Sequence, residues 1–126
     1  MSAAQVGAYA AKAQEFAEAA ASDLAAGRNI AATSLAIHAG INSADAVCGA
    51  RLGKRAAGED HDQVLTLLRQ AGPDGTEVER ELCRILPLKA KSEYEPDGIA
   101  PSVAAKAVER AQRCAAVARR VASTTR

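Results

Sequence analysis

With 126 residues and a mass of 13.0 kDa, the chain has material for one core and none for a second, so 1–126 is expected to fold as a single domain. Sixteen Lys and Arg against fifteen Asp and Glu leave a net charge of +1, which excludes a global field drawing the protein to nucleic acid or anionic lipid. Abundant alanine, three aromatic residues (Tyr9, Phe16 and Tyr94) and sparse glycine and proline predict an all-α fold, an antiparallel up-and-down bundle of about five helices packed through small side chains.

Residues 3 to 26 predict a first, Ala-dominated helix whose weak apolar face carries Val6, Ala10, Ala13, Phe16, Ala17 and Leu24 and which Gly27 ends. Its opening, MSAAQVGAYAAKAQEF, lacks a cationic stretch and a long Leu-rich core, and no apolar run approaches about 18 residues. The expectation is a soluble, cytoplasmic protein with no membrane partner.

Arg28 to Lys54 reads as one central helix, about 40 Å long, antiparallel to the first. Ile30, Ile37, Ile41, Cys48 and Leu52 fall on one line and predict its buried stripe. Ser34, His38 and Asp45 lie beside that line, about 40° to 80° from it, so polar groups flank the apolar stripe instead of opposing it. A carboxylate there loses water and needs a cation or donor, for which Lys89, Arg51 and Tyr94 are the candidates. Cutting Asp45 back to alanine would then strand that partner and cost about 2 to 4 kcal/mol. Gly40 and Gly49, each costing about 1 kcal/mol against alanine, suggest close approach of another backbone or a ligand.

After a polar connection broken at Gly58, Asp60 with Gln63 resembles a capping box for a third helix carrying Val64, Leu67, Leu68 and Ala71, stopped by Gly72, Pro73 and Gly75. Thr76 with Glu79 repeats the start signal for a fourth helix through Val78, Leu82, Ile85 and Leu86, which Pro87 ends or kinks. LPLKAKSEYEPDG follows as a polar segment with Lys89, Lys91 and Tyr94. Pro101 opens the last helix, with a heptad-like line of Val103, Ala107, Ala111, Cys114, Ala118 and Val121 and a basic outer face of Lys106, Arg110, Arg113, Arg119 and Arg120 that reads as solvated.

The chemistry is restricted by what is missing. Cys48, Cys83 and Cys114 are odd in number and far apart, and read as buried core thiols with no disulfide frame and no CxxC motif. His38 and His61 have no Glu three residues before them, so a di-iron bundle is excluded, and no zinc set, nucleophile elbow or phosphate-binding Gly loop is present. No metal or cofactor is expected. The third and fourth helices could pass for a helix-turn-helix, but the would-be reading helix TEVERELCRIL carries three glutamates, which repel phosphates.

The run HAGINSADAVCGARLGKRAAGEDHDQVLTLLRQ, then ILPLKAKSEYEP and a final Ala-rich helix, resembles the HEPN superfamily (higher eukaryotes and prokaryotes nucleotide-binding), in a short branch of actinobacterial type, over about 34 to 122. The resemblance implies an up-and-down bundle, often homodimeric and often tied to RNA cleavage or nucleotide binding in toxin–antitoxin and defence systems. Catalytic members of that superfamily carry an Arg, four to six residues and then a His near the start of a late helix. Here the matching stretch, Leu88 to Tyr94, keeps Lys89, Lys91 and Tyr94 but has no Arg or His, while Arg55 and His61 satisfy the spacing ahead of the third helix. Such cleavage would need an imidazole for proton transfer and a fixed cation for the phosphorane-like state.

The expected function is therefore a HEPN-like nucleotide- or RNA-associated binding module with the ribonuclease motif degenerate, and Asp45, His38, Arg51, His61, Lys89, Lys91 and Tyr94 as candidate ligand-binding residues. The alternatives are a structural protein–protein interaction bundle without ligand, or a metal-independent ribonuclease using His38 or His61. A homodimer through the small-residue faces is expected, since an Ala-rich chain has little apolar area per helix.

Overall fold

The structure, a computed structural model, describes residues 1–56 and 61–125. Its helices are α1 (Ala3–Ala25), α2 (Asn29–Leu52), α3 (His61–Arg69), α4 (Gly72–Ile85), α5 (Lys89–Tyr94) and α6 (Pro101–Thr124), with a 3-10 turn (Leu86–Leu88) before α5. As the composition predicts, the chain is an all-α bundle, and no strand occurs among the described residues. No helix among them is long and apolar enough to cross a membrane.

α1 starts with a capping box that Ser2 and Gln5 make reciprocally, the Gln5 amide donating to Ser2 Oγ (3.1 Å) and the Ser2 amide to Gln5 Oε1 (2.9 Å). Gly27, at φ +78°, makes the left-handed step that an L side chain would resist and so turns the chain into α2. α1, α2 and α6 pack together through alanines, with Ala13, Ala17 and Ala20 of α1, Ala32, Ala36 and Ala39 of α2 and Ala107, Ala111 and Ala115 of α6 buried within one chain. The small-residue faces are thus largely consumed inside the protomer.

α2 also meets α3, α4 and α5, so nearly every position from Ala36 to Gly49 is buried. A helix covered on all sides has no single stripe. The predicted line accordingly fails at its ends: Ile37 and Cys48 are buried, Ile41 and Leu52 are partly covered, and Ile30 is exposed. Three of the polar groups this burial takes in are satisfied by their own helix, Thr33 donating to Asn29 O, Asn42 to His38 O and Ser43 to Ala39 O, each at 2.8 Å. The glycines admit side chains instead of backbone or ligand, Gly40 facing Leu82 and Ile85 of α4 and Gly49 the Met1 thioether.

α4 begins four residues earlier than Thr76, because Pro73 sits in the first turn, where its missing N–H would have been unpaired in any case. The proposed cap Asp60 and the break at Gly58 lie outside the described residues. The polar segment after Ile85 is itself helical. Pro87 is held in the 3-10 turn, and α5 follows with Ser92 buried beneath it.

The basic face of α6 is not simply solvated. Arg110 and Arg113 both reach the buried Glu81 of α4 (3.2 and 3.3 Å), and Arg120 donates to Asp74 (3.0 Å) and Glu77 (3.1 Å). Three of its five cations therefore brace α6 to α4. Cys48 and Cys114 are buried, their thiols pushed up to about 12 chiefly by burial, but Cys83 is exposed, since the inward positions of α4 are Val78, Leu82 and Ile85.

Candidate functional site

The 3-10 turn carries Leu86 and Pro87 over the bundle and delivers Lys89 and Tyr94 beside the start of α3. There His61, Lys89 and Tyr94 line one open depression of about 370 Å³, together with Leu86, Pro87 and Ala90 among the described residues. Tyr94 is 75% exposed, the most exposed of the large hydrophobic side chains. Tyr94 is five positions after Lys89 on one short helix, and His61 comes from a segment 28 residues earlier than Lys89, so the cluster is made by the fold. An ammonium, an imidazole and an open phenol ring around one hollow can take an anionic group with a planar one beside it.

The other candidates divide among three places. His38, half-exposed, stacks its ring at 5.4 Å from Phe16 of α1 and lies 3.9 Å from Glu93 of α5, an ion pair when the imidazole is protonated. Asp45 is buried one to two turns further along α2, and its partner is none of the three expected residues. Arg55 lies 4.0 Å from it, with the guanidinium also over the Tyr9 ring at 5.6 Å, and Lys12 pulls in the same direction. Burial outweighs both cations and pushes the Asp45 carboxyl up to about 6.

Arg51 points away from this group. It donates to Asp74 at 2.7 Å on the α4 side, and the hydrogen bonds from Arg51 and Arg120 hold the Asp74 carboxyl below its ordinary range. Lys91 is exposed on α5 and does not line the depression. The fold therefore brings together three of the seven candidates, places His38 and Asp45 in separate contacts along α2, and sends Arg51 to a structural brace.

Sequence reasoning passed over Tyr9, Lys12 and Glu93. The spacing of Tyr9, Lys12 and Phe16, three and four residues apart, puts them on one face of α1 and was available as a signal. The pairing of that face with Asp45 and Arg55 was not, because it is set by how α1 and α2 register.

Arg55 and His61, which satisfy the ribonuclease spacing, do not share the hollow, since Arg55 is engaged by Tyr9 and Asp45 and is absent from the lining. A larger hollow of about 670 Å³ at the start of α2 contains none of the seven candidates, and its one charged lining residue among the described residues, Arg28, is tied to Asp23 at 3.0 Å. No protein-family model matches the chain, and no curated protein matches it.

Proposed function

We propose that this chain is a HEPN-like binding module for a nucleotide or for single-stranded RNA, of the kind found in toxin–antitoxin or defence systems, with the ribonuclease pair missing. The observation that carries the reading is the convergence of His61, Lys89 and Tyr94 on one open depression from two separate segments. Lys89 supplies charge for a phosphate, Tyr94 a ring on which a base can stack, and His61 a donor or acceptor at the edge. Cleavage is not part of this reading, because among the described residues no guanidinium lines the depression with His61 to meet the charge of a phosphorane. The similarity of ILPLKAKSEYEP to the HEPN pattern supports it from the side of sequence.

A ligand held by Lys89 and assisted by Lys91 should bind more weakly as salt rises, each charge-assisted contact contributing about 1.5 to 3 kcal/mol. Labelled single-stranded RNA and a panel of nucleotides, titrated into the wild type and into Lys89→Ala/Lys91→Ala at two salt concentrations, read this directly. The expected result is a loss of binding of at least about tenfold in the double variant, with unchanged thermal stability. Equal binding by both proteins, or by neither, would favour the other reading, an interaction bundle without ligand. One observation speaks for that alternative: most of the arginines on α6 serve as braces to α4.

A further inference from the structure

The open hollow of about 670 Å³ lies where the turn from α1 into α2 meets the connection from α5 into α6. Gly27 and Gly98, one from each connection, line it without side chains, and Ile99, buried next to Gly98, holds the second connection against the bundle. Its volume is in the range of small-molecule sites, about 300 to 1,000 Å³. Two side chains of α2 that the core does not use meet there. Ile30 begins the apolar line of that helix and is left 40% exposed, and Ser34 stands one turn further along the same face.

The hydrogen-bonding groups of the hollow are free on the α2 wall. Thr33 and Ser43 give their hydroxyl protons to the carbonyl four residues back, and Ser34 does not. Among the described residues neither the Ser34 hydroxyl nor the Asn29 side-chain amide has a hydrogen-bond partner, and both residues line the hollow. Ser92, buried on α5, gives its proton to Lys89 O at 3.1 Å, which leaves its oxygen able to accept. Charge is already balanced there: the Arg28 guanidinium is met by Asp23 at 3.0 Å. A charged head group would shed water in the hollow and gain no free counter-charge. An uncharged head that both donates and accepts would meet Asn29 and Ser34, and an apolar body would cover Ile30.

We infer that this hollow is a second binding site, for an uncharged small molecule with an apolar body and a carboxamide head: the body lies against Ile30, Ala31 and Ile99, and the head bonds Asn29 and Ser34. The site shares no residue with the His61–Lys89–Tyr94 depression among the described residues, and its ligand carries no phosphate, so it stands or falls independently of the nucleotide reading.

Benzamide, benzoate and benzamidine share one shape and differ in charge, which makes them the probes. In two-dimensional NMR of the labelled full chain, benzamide is expected to move the signals of Ile30, Ser34, Gly98 and Ile99 with a Kd on the order of 1 mM, as suits so small a molecule. Benzoate and benzamidine are expected to bind at least about fivefold more weakly. Ile30→Ser removes apolar wall at an exposed position, and Asn29→Ala/Ser34→Ala removes the two polar groups while keeping a helical sequence. Each should weaken benzamide at least about fivefold with an unchanged helical circular dichroism spectrum, and the second should also erase the preference for benzamide over benzoate. Signals at the hollow that stay fixed up to about ten times that Kd would overturn the inference. So would a charged probe that binds as tightly as benzamide, shifts confined to another face, or folded variants that bind like the wild type.

Discussion

Replacing Gly75 by alanine is expected to lower the melting temperature by on the order of 10 °C, from a loss of about 2 to 4 kcal/mol. A Cβ at this position would run into the carbonyl oxygen of Leu68 and stand 2.7 Å from the Ala71 Cβ. The obstructing oxygen is main chain, so it cannot rotate away; either α4 or the end of α3 must move. Because α3 has nine residues, the displacement would loosen Val64 and Leu68, its two buried side chains. The contrast with the α2 glycines is the control. At Gly40 a Cβ would meet side-chain atoms of Leu82 and Ile85 and no main chain, and at Gly49 the thioether of Met1, which can withdraw toward solvent. Alanine at either site also gains about 1 kcal/mol of helix propensity, so both variants should lose less than Gly75→Ala. Thermal melts followed at the helical circular dichroism band decide it, and a Gly75→Ala protein melting with the wild type would show that the close approach is not tight.

Asp45→Asn is expected to stabilise the protein by about 1 to 3 kcal/mol near neutral pH, and the gain should vanish in acid. Burial pushes the carboxyl from an ordinary 3.8 up to about 6, with Arg55 and Lys12 offsetting only part of that. Between those two values the folded chain binds more protons than the unfolded one. The stability that neutral Asp45 allows is therefore complete below about pH 4 and is lost as the pH rises through about 6. An amide of the same shape removes the charge and keeps the packing. This reverses the expectation that Asp45 staples helices: its partner Arg55 is half-exposed at 4.0 Å, so removing the carboxylate strands no buried cation. Urea unfolding of both proteins at pH 4 and at pH 7.5 measures the difference, and a variant less stable than the wild type at pH 7.5 would restore the staple.

The order of these helices was legible because local signals mark them: Gly27 after α1, Pro101 opening α6, and the apolar spacing of Val64 and Leu68 in the short α3. What could not be read was set by packing between distant segments. Ile30 belongs to the apolar line of α2 yet is exposed, because the helix is buried around its middle and not along one stripe. Cys83 reads as a core thiol from its place on the apolar stripe and is exposed, since Leu82 takes the inward position next to it. The segment after Pro87 is polar enough to pass for a loop, but Ser92 tucks against the bundle and a helix forms over it. Of the candidate site, the residue types in that segment were legible and the arrival of His61 beside them was not. Asp45 was recognised as needing a cation, but Arg55 reaches it from beyond the left-handed Gly53 that ends α2, which no spacing within the helix could show.

The most direct test of the proposed binding site is a map of where ligand touches the chain. Two-dimensional NMR of the labelled protein, titrated with a short single-stranded RNA and separately with a nucleotide, is predicted to move the signals of His61, Lys89 and Tyr94 and of their neighbours Leu86 and Ala90, while Arg51 and Asp74 on the α4 side stay in place. Saturating additions that leave those five residues unmoved, or shifts confined to another face of the bundle, would contradict it.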